Sequence, residues 1–120
     1  MYDAVLETLN SATIVVKSAA VCDFRPARVA EGKIKKTDQM NSLRIELEPT
    51  EDILAEVGRR KGNRIVVGFA AETNPDPEQA LAKMRRKNAD LLVLNDVTQP
   101  DAGFDTDTNR VTIFTSDGGK

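Results

Sequence analysis

The chain has 120 residues, which fits one domain or part of one. Hydrophobic residues make up 40% and charged residues 30%, a globular balance, and the net charge of −2 argues against a general nucleic-acid binder. A single cysteine excludes an intramolecular disulfide, and the lack of histidine excludes His-based triads and His metal ligands within this chain.

Aromatic residues are 4% and Trp is absent, so the core must be built from Val, Ile, Leu and Ala. No apolar run approaches the roughly 20 residues of a membrane span. Met1-Tyr2-Asp3 opens no basic-then-apolar secretion signal. A cytoplasmic protein with no membrane and no nucleic-acid partner is expected.

Tyr2, Val5, Leu6 and Leu9 recur at helical spacing, which predicts an amphipathic helix over 2–11. Ala12 to Ala20 is a β-branched apolar run of buried-strand type. Residues 21–40 lose periodicity and carry Pro26, Gly32 and a basic run ending at Lys36. They read as a long loop. Leu43, Ile45 and Leu47 alternate with Arg44, Glu46 and Glu48, the pattern of a half-exposed strand.

Thr50 is placed to cap a helix with Glu51 and Asp52 in its first turn. Ile53, Leu54 and Val57 form that helix's apolar face, and Gly62-Asn63 ends it. Arg64 to Ala71 predicts a second buried strand, whose Gly68 permits close approach. Asn74 to Pro77 opens a third helix to about residue 88, with Ala80, Leu81 and Met84 inward. Asp90 to Leu94 predicts a third buried strand, and Val111 and Ile113 a last one. Strands alternating with helices give an α/β fold with a largely parallel sheet. Ligands of such sheets sit beyond the carboxyl ends of the strands.

Four constellations follow from that geometry. Ser18-Ala19-Ala20-Val21-Cys22-Asp23 puts small residues and an acid at a strand end, ahead of Lys33-Ile34-Lys35-Lys36. Small residues admit a flat ligand, an acid binds hydroxyls, and a basic loop can close over phosphates. A turn and a solvated lysine run have the same pattern. Val67 to Thr73 reads by itself as a core strand with a helix-entry turn. Lys83 and Lys87 share a helix face, an unfavourable pair unless an anion lies between them, or else a solvated face. Arg85 and Arg86 read as solvated. Asn95-Asp96 and Gly103 to Asn109 lack the ligand pattern of a calcium loop. No Walker A or GxGxxG sequence occurs. Cys22 has no histidine partner and reads as a small strand-end residue rather than a nucleophile.

Together, Ala19-Ala20-Val21-x-Asp23-x-Arg25-Pro26, Lys33-Ile34-Lys35-Lys36, Val67-Gly68-Phe69-Ala70-Ala71-Glu72-Thr73, Lys87-x-x-Asp90, and Asn95-Asp96 before Gly103-Phe104 resemble the phosphopantothenoylcysteine synthetase domain of the DNA/pantothenate metabolism flavoprotein family. The matches run in the family's order over nearly the whole chain. The resemblance implies a Rossmann-like three-layer sandwich, incomplete without the N-terminal half of the domain. It also implies a CTP-dependent ligase joining 4′-phosphopantothenate to cysteine through an acyl-cytidylate, with magnesium assisting.

Carried over residue by residue, Lys17, Ser18 and Ala19 would meet the nucleotide through backbone groups, and Asp23 through hydroxyl or base hydrogen bonds. Lys33 would be catalytic, on a flexible basic loop over 24–40 that closes on the phosphates. Glu51, Asp52, Ile53 and Leu54 would approach as a helix start, Phe69 would wall the base or ribose, and Lys83 and Lys87 would contact the triphosphate. No protein metal ligands are implied.

The family's Asn-Pro-Asp-Ile is here Thr50-Glu51-Asp52-Ile53, and Cys22 replaces an alanine. The family's phosphate-binding glycine turn, its catalytic asparagine, a later C-terminal helix and the FMN-dependent decarboxylase domain have no counterpart in these residues. An excised part of a multifunctional, homo-oligomeric enzyme, inactive alone, is therefore expected. The alternative is a non-catalytic α/β dimerisation or nucleotide-binding module.

Overall fold

The computed structural model describes residues 1–36, 42–99, 107–117 and 119. The Gly103-Phe104 part of the last motif lies outside them. The chain divides into two units, Met1–Ala19 with Ile53–Lys120, and Ala20–Asp52.

The first unit is built on a four-stranded sheet. Its helix α1 spans Tyr2–Leu9, two residues shorter than the predicted 2–11, and β1 spans Ile14–Lys17. Helix α2 is Ile53–Arg59, β4 is Ile65–Glu72, α3 is Pro77–Arg86, β5 is Leu91–Asp96 and β6 is Val111–Thr115. The short strands β2 (Phe24–Pro26) and β3 (Leu47–Pro49) belong to the second unit. The sheet order is β1-β4-β5-β6. The first two pairings are parallel and the last is antiparallel. The mixed α/β class with a largely parallel sheet is thus present.

One face of this sheet makes the core. Val66, Ala70, Leu92, Leu94 and Phe114 are buried on it. Ile53, Leu54 and Val57 of α2 are buried, as are Ala80 and Met84 of α3. Each Val, Leu, Ile, Met or Phe side chain among them contributes about 1.5–3 kcal/mol when fully removed from water. Gly68 matters here for space. A Cβ on it would lie 2.9 Å from Leu54 Cδ2 and 3.2 Å from Leu92 Cδ1, so its absence lets α2 settle on β4.

The opposite face is a correction to the sequence reading. The strands 12–20 and 64–71 were expected to be buried throughout. Instead β1 alternates, with Ile14 and Val16 each 56% exposed, and Ile65, Phe69 and Ile113 lie on the same uncovered face. Apolar runs of this kind encode a sheet covered on both sides, and among the described residues only one side is covered.

Arg64 ties the helix ends together. Its Nε donates to the carbonyls of Leu9 (2.8 Å) and Ala12 (3.0 Å), and its Nη1 to those of Arg60 (3.4 Å) and Lys61 (3.1 Å). These carbonyls lie at the end of α1, in the turn that follows it and in the turn that follows α2, so one guanidinium ties the three places together. Gly62, at φ +55°, supplies the left-handed turn after α2, as its position predicted. At α3, the Asp76 carboxylate caps the first turn, accepting from the amides of Glu78 (2.9 Å) and Gln79 (3.4 Å).

The second unit differs from its prediction. The sequence pattern predicts loop over 21–40, of which 37–40 lie outside the described residues, yet Phe24–Pro26 pairs antiparallel with Leu47–Pro49. The Leu43–Leu47 alternation yields strand only from Leu47. Leu43, Ile45 and Leu47 are all exposed, so the alternation here serves no buried face. Thr50 does not cap α2, which begins at Ile53; its hydroxyl donates to the Cys22 carbonyl at 2.6 Å, inside the second unit.

Candidate functional site

The carboxyl end of β1 opens into a hollow of about 150 Å³. Lys17, Ser18 and Ala19 form one side, and Ile53 and Leu54 at the start of α2 form another, over an apolar floor that includes Val5, Val15 and Val57. Five of the twelve candidate positions therefore converge. They meet because β1 ends where α2 begins to cross β4, and because Gly68 lets Leu54 sit low on the sheet. The Lys17 ammonium donates to the Ala19 carbonyl at 3.0 Å, which bends the chain back as it leaves the strand. The volume is below the ~300–1,000 Å³ of pockets that enclose whole drug-sized ligands, so the hollow can seat one ring or sugar.

Phe69 is not in this hollow. It alternates with Gly68 and therefore lies on the other face of the sheet, 41% exposed. The strand register sets Asn95 beside it, since Phe69 pairs with Val93 and Ala71 with Asn95. Among the described residues, Asn95 Oδ1 is a buried side-chain atom with no hydrogen-bond partner. A buried acceptor left open costs about 1–3 kcal/mol, which a ligand donor would recover. Asn95 was noted only as part of a motif, and its face becomes visible only with the strand register.

Lys83 lines a second hollow, of about 300 Å³, at the carboxyl end of β4. Its ammonium is 3.5 Å from Glu72 Oε1. Arg86, which the sequence reading left as solvated, shares this hollow. Lys87 is instead the C-cap residue of α3. Its backbone is still right-handed and its amide donates to the Lys83 carbonyl at 3.0 Å, one helical turn back.

Asp23, Lys33, Glu51 and Asp52 belong to the second unit. Asp23 and Lys33 are exposed. The Asp23 carbonyl accepts from the Thr50 amide at 2.9 Å, and Glu51 lies 3.5 Å from Arg25. Arg25 also pairs with Glu48 at 2.8 Å, and the hydrogen bond its Nε donates to that carboxylate, with the charges of Glu51 and Glu48, raises the guanidinium pKa.

Asp96 closes β5. Its carboxylate accepts from the Thr98 hydroxyl and amide and from Gln99, and those bonds, the Thr98 hydroxyl's first, hold it below the usual carboxylate range. The described residues offer no group of three His, Cys, Asp or Glu placed to hold a metal ion. No helix among them is long and apolar enough to cross a membrane.

The family model for the DNA/pantothenate metabolism flavoprotein C-terminal domain matches residues 1–120. The coenzyme A biosynthesis bifunctional protein CoaBC of Bacillus subtilis (strain 168) is 48% identical over 100% of this chain and 29% of its own length. A cysteine/cysteine sulfinic acid decarboxylase from an unknown prokaryotic organism is 43% identical over 95% of this chain and 32% of its own length. The chain thus spans about a third of these relatives. A crystal structure of the C-terminal domain of a coenzyme A biosynthesis bifunctional protein CoaBC superposes with a TM-score of 0.73 at 36% identity, covering 98% of this chain and 48% of that one.

Proposed function

Since the chain belongs to the DNA/pantothenate metabolism flavoprotein C-terminal domain family, we propose that it is part of a CTP-dependent phosphopantothenate–cysteine ligase of coenzyme A biosynthesis. The observation that carries this reading is the convergence of Lys17, Ser18, Ala19, Ile53 and Leu54 on one hollow at the carboxyl edge of parallel strands. The names of the CoaBC relatives agree with the pathway.

In this reading the carboxylate of 4′-phosphopantothenate attacks the α-phosphorus of CTP. The bond to the β-phosphate oxygen breaks, pyrophosphate leaves, and an acyl-cytidylate forms. The amine of cysteine then attacks the acyl carbon and releases CMP and a proton. The protein's part is positioning and charge stabilisation rather than covalent catalysis. Lys33 stabilises charge on the phosphates, Lys83 and Lys87 contact the triphosphate, and Asp23 binds the nucleoside. Glu51 and Asp52 precede the helix start that meets the nucleotide. Phe69 walls the base or ribose, with the open Asn95 acceptor beside it for an amino or hydroxyl donor. Magnesium travels with the nucleotide phosphates, and no step is assigned to a protein-held metal. FMN belongs to a decarboxylase domain outside these residues. The enzyme acts in the cytoplasm as a homo-oligomer.

Titration of the chain with CTP and then ATP, each with magnesium, tests this by backbone amide shifts. CTP alone is expected to move Lys17–Ala19, Asp23, Lys33 and Phe69, and Lys33→Ala or Asp23→Ala to abolish the response. Equal silence toward both nucleotides from a folded sample counts against an intact site. The uncovered apolar face around Ile14, Val16, Ile65 and Ile113 supports a second reading, a non-catalytic dimerisation module. A dimer by sedimentation that ignores nucleotide is its signature.

A further inference from the structure

The Lys87-x-x-Asp90 motif has a local architecture that the nucleotide reading does not use. Helix α3 ends in a Schellman turn. The Asn88 amide donates to the Arg85 carbonyl at 3.0 Å, and the Ala89 amide to the Met84 carbonyl at 3.1 Å. Asn88 is the left-handed residue of that turn, at φ 51°, where asparagine is tolerated better than most side chains. The turn leaves the Asn88 side chain free to reach across to α2, where its Nδ2 donates to the Gly58 carbonyl at 2.8 Å.

Gly58 answers from the other side. A Cβ on it would overlap the Lys87 carbonyl oxygen and come within 3.3 Å of Asn88 Cβ. Backbone therefore packs on backbone at this point, which no other residue type permits. Beyond it, Ala89 is buried. The Asp90 carboxylate accepts from the Val66 amide at 2.8 Å and from Lys61 at 2.7 Å. Residues 87–90 are thus fastened to α2, to α3 and to the start of β4.

We propose that Gly58 and Asn88 form a latch that fixes the C-cap of α3 on α2 and thereby positions Lys87 for the nucleotide. They are positioning residues and touch no substrate. The proposal rests on the reading that Lys87 contacts the CTP triphosphate. It accounts for the lysine and the aspartate of the motif together, since the aspartate anchors the corner that carries the lysine.

The test is a double-mutant cycle in the full-length protein that carries this domain. Asn88→Gly keeps the left-handed backbone and deletes the side chain with its bond to Gly58. It is expected to raise KM for CTP about fivefold, the equivalent of one hydrogen bond of ~1 kcal/mol, with KM for cysteine unchanged. In a Lys87→Ala background the same change should have no further effect on KM for CTP, because the two act through one group. A merely structural Asn88 would lower the melting temperature and leave that coupling at zero. Equal factors in both backgrounds, or an unchanged KM for CTP in Asn88→Gly, overturn the latch. If Lys87→Ala itself leaves KM for CTP unchanged while the wild type turns over CTP, the role of Lys87 falls and the latch's purpose with it. A wild type that does not use CTP instead sinks the ligase reading.

Discussion

The two units of this chain handle apolar residues in opposite ways. The sheet unit buries Val57, Val66, Met84 and Leu92 almost completely. The Ala20–Asp52 unit has no buried residue among those described, and it exposes Phe24, Val29, Ile34, Leu43, Ile45 and Leu47. Its order comes from a three-residue ladder between β2 and β3, the Ala27 amide bonded to the Glu46 carbonyl at 2.9 Å, and the Arg25 ion pairs. A two-stranded ribbon without a hydrophobic face is marginal in water. The contrast teaches that the alternating pattern near Leu47 is not evidence of a core in this unit. The candidate phosphate residues are divided between the units, Lys33 on the less consolidated one and Lys83 and Lys87 on the sheet unit.

Truncation of core residues sharpens the comparison most. Met84→Ala and Leu92→Ala should each destabilise the chain by about 2–5 kcal/mol, by loss of transfer energy and creation of a cavity. Val29→Ala and Leu47→Ala should change stability by no more than about 0.5 kcal/mol. Urea denaturation followed by far-UV circular dichroism reads both. A Leu47→Ala loss as large as that of Leu92→Ala would refute the division between a cored and an uncored unit.

Arg64→Met comes next. The aliphatic stem is kept while the donors to the Leu9, Asn10, Ala12, Arg60 and Lys61 carbonyls are removed, so the expected loss is about 2 kcal/mol. Faster amide exchange at the ends of α1 and α2, with β5 unchanged, would locate the effect. Uniform protection at those ends would mean that water replaces the guanidinium without cost.

How much of this was legible beforehand follows the same division. In the sheet unit the apolar periodicity located every helix and strand to within a few residues, because those side chains are inward on at least one face. It could not tell that one sheet face would be uncovered, since Val16 and Val66 look alike in sequence. In the other unit the signal was misleading: β2 is made of Phe24, Arg25 and Pro26, which carry no alternation. Of the candidate site, Lys17–Ala19 and Ile53–Leu54 were named from motif resemblance and do converge. The Asn95 acceptor, the Arg64 cap and the place of Arg86 depend on strand register and helix ends, which single-residue patterns do not carry.

The smallest effect is the response to acid, and it too separates the units. Hydrogen bonding by Arg59 outweighs burial and, with Arg60 and both positive charges, lowers the Glu56 carboxyl from 4.5 to about 2. For Asp90, burial is the largest influence and pushes its pKa up, but the hydrogen bonds from Lys61 and Val66 and the Lys61 charge together bring it below the ordinary value. Both carboxyls therefore bind protons more readily in the unfolded chain. Their contribution is complete above the unfolded pKa and declines as the folded groups protonate, for Glu56 between pH 4.5 and about 2. Urea midpoints should accordingly fall as pH is lowered through that window. Glu56→Gln should flatten the fall while lowering the midpoint at pH 7. Because both groups sit in the sheet unit, β4 and β5 amides should lose protection along with the midpoint. If acid moved only amides of residues 20–52, the coupling of these carboxylates to the sheet would be wrong.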